Sequence, residues 1–158
     1  MGLALARIIP VATTFAVTMC HFDQYLIFSS FLSSNASPQA RQRVLPHMLR
    51  SYVQGALPII IVLEFVSYGA FAANVYYRLP LWKWYAGGLV CFLSHLFNAP
   101  YSWKLLTAIM QADEGAHKEE KQDIRPTLEK FVRMNKLRLI LTELPLICIV
   151  LGGSLIGA

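Results

Sequence analysis

Little in this sequence carries charge: 15% of its 158 residues, against about 25% in a typical soluble domain. That shortage argues against a soluble globular protein. Cysteine is scarce too. Cys20, Cys91 and Cys148 form no C-x-x-C and no even-numbered set, so no disulfide framework is expected and all three read as apolar packing residues. There is no Gly-rich phosphate loop, no G-x-S-x-G and no dinucleotide fingerprint. H-E-x-x-H and the Glu-x-x-His pairs of di-iron bundles are missing as well. No internal repeat or low-complexity tract occurs, and the opening MGLALA lacks the hydroxyl residue that myristoylation requires.

What is present is apolar. Hydrophobic residues make up 56% of the chain, and the mean hydropathy is +0.48. A membrane span needs roughly 20 such residues. Four runs qualify, at 3–31, 52–75, 82–110 and 131–156. The expected fold is therefore all-α: one integral membrane four-helix bundle, multi-pass, occupying the whole of 1–158. The first run is too long, and too polar in its second half, for a cleaved signal. Tyr76, Tyr77, Trp82 and Trp84 flank the short turn between the second and third runs, where an aromatic belt belongs. Arg41, Arg43, Arg50, Lys118, Lys121, Arg125 and Lys130 fall on one side, and Arg7, Arg78 and Lys83 on the other. The positive-inside rule then places both long loops in the cytoplasm and both termini on the non-cytoplasmic side. A eukaryotic chain of this kind belongs in the endoplasmic reticulum or another endomembrane. The net charge of +5 is a topology signal, and nucleic acid is not an expected partner.

Ionisable residues inside a bilayer are costly and face the bundle interior. Counted from the cytoplasmic ends of their runs, His21, Glu64, Asn98 and Glu143 all lie roughly 17 Å deep at helical rise. That is near the middle of a core about 30 Å thick. His95 lies a turn further out, while Asp23, Tyr101 and Arg138 lie nearer the cytoplasm. Helical spacing groups Thr14, Thr18, His21 and Tyr25 on one stripe. Glu64 and Tyr68 share a second, His95, Asn98 and Ser102 a third, and Asn135, Arg138 and Thr142 a fourth. Asp23 projects away from His21, and it is the expected ion-pair partner of Arg138. Such groups also serve as hydrogen-bonding glue between helices, which is the plainer role for Asn98 and Asn135. Two histidines, two glutamates and an arginine in one small bundle point beyond glue, to an interior site. His with Glu forms a general base pair, and the same set suits iron, copper or zinc.

Three segments carry a family resemblance. They are SYVQGALPIII (51–61), NAPYSWKLL (98–106) and FVRMNKLRLIL (131–141). In this order they resemble motifs of the small four-span membrane proteins that include the fungal anthrone oxygenases. Those motifs are an aromatic residue followed by Gly and Pro leading the second span, a Pro-Thr-Asn-x-x-Leu-Leu ending to the third, and a Trp-x-x-x-Asn-x-x-Arg opening to the fourth. The match singles out Gly55, Pro58, Pro100, Asn135 and Arg138. Tyr101 and Ser102 stand where the family has Thr and Asn, and Phe131 where it has Trp.

The resemblance implies an enzyme of secondary metabolism acting on a hydrophobic, polyketide-derived substrate with dioxygen and no required cofactor. His21, Glu64 and His95 are then the base candidates, and Arg138 the residue that steadies an oxyanion. Asn98, Tyr101, Asn135, Tyr68 and Glu143 are expected around the substrate. Iron or copper at the His/Glu set remains an open alternative, as does a homo-oligomer. An isomerase or cyclase on a polyketide or terpenoid would use the same groups. A glutathione-type membrane transferase would need Arg50, Arg133 and Arg138 gathered near the cytoplasmic face. A non-catalytic assembly partner would turn its polar stripes toward another protein.

Overall fold

The structure, a computed structural model, describes residues 2–33, 35–112 and 123–156, with side chains from residue 5 onward. The described residues are helical throughout, joined by short turns. Four helices follow one another: α1 (Gly2–Ser30), α2 (Ala40–Tyr76), α3 (Trp82–Gln111) and α4 (Arg125–Ile156). Each packs against two neighbours, in the cyclic order α1–α2–α3–α4.

Two of these helices start earlier than their apolar runs. α2 begins at Ala40 rather than near 52, because Leu45 and Leu49 continue its inward stripe and are fully buried. α4 begins at Arg125 rather than near 131, with Leu128 buried in the same way and Pro126 in its first turn, where proline is tolerated. Polar residues on the outer face did not interrupt either helix; they only lowered the local hydropathy. The opposite discrepancy affects α3. By length and composition α1, α2 and α4 could each cross a membrane. α3 is long enough at 30 residues, but Ser94, His95, Asn98, Ser102 and Lys104 dilute its apolar content. Large side chains such as Phe65, Val90, Phe97 and Leu141 lie exposed on the outside. An apolar exterior of this extent belongs in lipid, and the chain is a membrane protein on these grounds. Lys118, Lys121 and most of the acidic loop used in the orientation argument lie outside the described residues.

The interior has three levels. One apolar cluster joins Phe28, Leu49, Leu105, Ile109, Leu128 and Phe131. Another joins Val17, Phe71, Tyr85, Phe92, Leu146 and Val150. Every helix contributes to both, and between its two contributions each helix carries its polar residues: His21 and Gln24 on α1, Tyr52 and Glu64 on α2, His95 on α3, Asn135 to Glu143 on α4. The costly groups are thus enclosed above and below by packed hydrocarbon. Close approach of α2 and α3 in the second cluster depends on Gly88, since a Cβ there would sit 2.4 Å from the Phe71 ring.

Within α4, Leu139–Glu143 forms a π-helical segment. Such bulges shift the register of a helix and recur at functional sites. In an unbroken α-helix, Arg138 and Glu143 would point about 140° apart. Widening the turn brings positions five apart onto the same side. Thr142 and Glu143 are both buried as a result.

Candidate functional site

The polar level assembles around one carboxylate. Glu143 is completely buried. Its Oε2 accepts a hydrogen bond from Thr18 Oγ1 at 2.8 Å, and its Oε1 is hydrogen-bonded to His21 Nδ1. The same Oε1 lies 3.4 Å from His95 Nε2. The bond to Glu143 fixes the His21 ring and leaves Nε2 facing the opposite way, 3.7 Å from Glu64 Oε1. His95 Nδ1 is 3.9 Å from that same oxygen. The two imidazoles stack with centroids 5.3 Å apart. Glu143 therefore supports the histidines from behind, and Glu64 meets them from the front. Glu64 is also the accessible member, with 21% of its side chain exposed against 2% for His21 and 5% for His95.

A cavity of about 440 Å³ opens on this front side, within the roughly 300–1,000 Å³ typical of small-molecule sites. Its polar wall holds His21, Glu64, His95, Asn135 and Arg138. Its apolar wall includes Leu57, Ile60, Leu96 and Trp103. Gln24 links two further groups there. Its Oε1 accepts from Arg138 Nη2 at 3.3 Å, and its Nε2 donates to Tyr52 Oη. Arg138 and the Tyr52 hydroxyl are thereby held at the same wall. Several buried polar atoms have no hydrogen-bond partner among the described residues: both His95 nitrogens, both Asn135 amide atoms and Arg138 Nε. Orphaned buried groups are uncommon because each costs on the order of 1–3 kcal/mol. Their concentration on one cavity wall marks a place prepared for a ligand.

The structure brings together His21, Glu64, His95, Arg138 and Asn135 from the sequence candidates. Glu143 joins them as a supporting group and does not line the cavity. Tyr68 is elsewhere, donating to the Phe92 carbonyl at 3.1 Å. Asn98 and Tyr101 line a separate outer cavity of about 490 Å³ with Lys130 and Arg133, which Arg138 also borders. The expected pair of Asp23 with Arg138 is replaced. Asp23 lies on the exposed face of α1, and its neighbour Gln24, one helical step round, meets the guanidinium instead. Arg50 donates to the Met110 carbonyl at 2.6 Å and does not line the cavity that Arg133 and Arg138 share. Tyr52 and Trp103 lay at run ends or on an aromatic belt by sequence and gave no sign of a site role. The aromatic residue opening SYVQG was the one available signal for Tyr52.

Over 150 residues the chain is 27% identical to a protein named "Probable epoxidase scpX" from Mollisia scopiformis, covering 89% of this chain and 88% of that relative. No family model matches the chain, and no solved structure matches it. The similarity runs through all four helices. It supports an oxidative enzyme, without singling out the anthrone oxygenase subtype.

Proposed function

We propose that this protein is a membrane-embedded enzyme of secondary metabolism that oxidises a hydrophobic, polyketide-type phenol or anthrone with dioxygen. The observation that carries this reading is the His21–Glu64–His95 cluster at the polar wall of an otherwise apolar cavity. The substrate enters from the bilayer, where such molecules concentrate, and its rings pack against Leu57, Ile60, Leu96 and Trp103.

Glu64 takes the acidic C–H or O–H proton, since it is the accessible carboxylate and both imidazoles stand ready to share that proton. The resulting enolate or phenolate oxygen is held by Arg138, with Tyr52 and Asn135 as further donors. Donors fixed in advance at a developing oxyanion are usually the largest electrostatic contribution to such a reaction. The anion then reacts with dioxygen. For an anthrone, a methylene becomes a carbonyl and the second oxygen atom leaves as water. For a hydroquinone, the product is an epoxyquinone and again water. Both conversions add one oxygen and remove two hydrogens, so the substrate supplies all the electrons and no external reductant enters the balance. The name of the relative from Mollisia scopiformis favours this class over an isomerase or cyclase, which would use the same acid and base without oxygen.

The test is oxygen uptake by the protein in nanodiscs offered anthrones and alkylated hydroquinones, with labelled dioxygen and mass analysis of the product. Substrate-dependent uptake, label in the product and loss of both in Glu64→Gln are expected. Proton exchange or ring closure without oxygen uptake would move the reading to the isomerase or cyclase class. If no substrate turns over and Glu64→Gln alters only assembly with another membrane protein, the enzymatic reading is wrong.

A further inference from the structure

The buried face of His95 is not explained by acid–base chemistry. Both of its nitrogens lack a hydrogen bond although the side chain is 5% exposed. A proton-shuttling histidine would be expected to hold one of them fixed. Ligand-capable atoms of His21, His95 and Glu64 all lie within 4.8 Å of one another. Three donors around a first-row metal ion at about 2.0–2.2 Å are separated by a little over 3 Å, so the observed spacings close onto an ion with shifts of roughly an ångström or less. His21 is also dressed as a ligand. Its Nδ1 is bonded to Glu143, which sets the tautomer and frees Nε2, and carboxylate support of this kind is the usual outer partner of a metal-bound histidine.

We infer that His21 Nε2, His95 and Glu64 form a three-ligand site for a divalent first-row metal ion, with Glu143 as the supporting carboxylate. The set has two imidazoles, one carboxylate and no sulfur, and its remaining positions open on the cavity. That composition suits iron(II) above the alternatives, since two histidines and a carboxylate with open positions is the pattern of non-haem iron oxygen chemistry. The inference rests on reading the cavity as the site of oxidation and narrows the roles within it. The imidazoles hold the ion, Glu64 binds it through the oxygen that both rings face, and the second Glu64 oxygen is left for the substrate proton.

The experiment loads the purified full chain in detergent anaerobically with iron(II), desalts it and measures the metal content. Near-stoichiometric iron is expected. It should fall at least tenfold in His21→Ala, in His95→Ala and in Glu64→Ala, and stay unchanged in His47→Ala, whose imidazole is exposed on the first turns of α2. Glu143→Gln should retain the site with affinity lowered by about 10- to 100-fold. Where an alanine variant does not fold, His95→Asn replaces it, and the metal content of the unaltered chain stands as a test by itself. Sub-stoichiometric iron in the unaltered chain, or iron that survives His95→Ala, overturns the inference. A metal-free protein that still consumes dioxygen with substrate overturns it while leaving the proposed oxidation intact. A protein that binds the ion through these residues but oxidises nothing supports the site and removes the oxidation.

Discussion

Replacing Glu143 with alanine tests the polar level most directly. The side chain has no exposure and accepts from two buried donors on α1, Thr18 Oγ1 at 2.8 Å and His21 Nδ1. Its loss strands both. A buried donor without a partner costs about 1–3 kcal/mol, which makes Glu143→Ala destabilising by ~2–6 kcal/mol. Polar contacts between membrane helices are worth less when both partners disappear, about 0.6 kcal/mol on average, so Thr18→Val should cost under ~1 kcal/mol. Glu143→Gln retains one carbonyl oxygen to accept a bond and falls between the two. The double variant Glu143→Ala with Thr18→Val should be less destabilised than the sum of the singles, by ~0.5–3 kcal/mol, because valine no longer needs the acceptor. Reversible unfolding of the purified protein in mixed micelles reads all four. Equal losses for Glu143→Ala and Thr18→Val, or strict additivity in the double variant, would refute the claim that this carboxylate organises α1 and α4.

Packing and catalysis give further tests. Gly88→Ala should destabilise by about 1–3 kcal/mol through overpacking, because its Cβ would overlap the buried Phe71 ring; unfolding in the same micelles checks it. Gly55, with nothing within 4 Å of an added Cβ, is the contrast, and Gly55→Ala should stabilise by up to roughly 1 kcal/mol from helix propensity. Arg138→Gln should lower kcat by about 100- to 1,000-fold with a smaller change in KM, measured as oxygen uptake; a change in KM alone would mean that Arg138 only binds. Ala99→Leu narrows the cavity that Ala99 lines and should raise KM several-fold with the melting temperature unchanged.

The sequence by itself determined the class of fold. Long apolar runs can satisfy their backbone in lipid only as helices, and short connections then make neighbours pack side by side. It also determined which residues had to face inward, because a charge or imidazole at mid-membrane depth has nowhere else to go. His21, Glu64 and His95 were legible for that reason. Where α2 and α4 begin was not, since hydropathy reports the average of a helix's faces while Leu45, Leu49 and Leu128 are held by one face alone.

The division of labour among the polar groups was decided by tertiary structure. Depth counting placed Asn98 with His21 and Glu64, yet azimuth sends Asn98 to the outer cavity, and depth says nothing about azimuth. The expected stripe of Asn135, Arg138 and Thr142 assumed an unbroken α-helix. The π segment at Leu139–Glu143 changed the register and brought Glu143 against His21. Gln24 took the guanidinium in place of Asp23 because it sits one helical step closer to the bundle axis. An amide between Arg138 and Tyr52 also satisfies both without burying another charge. Composition and periodicity could say that a polar group must lie inside. Which atom it meets depends on helix rotation and register, and those are set only when all four helices pack.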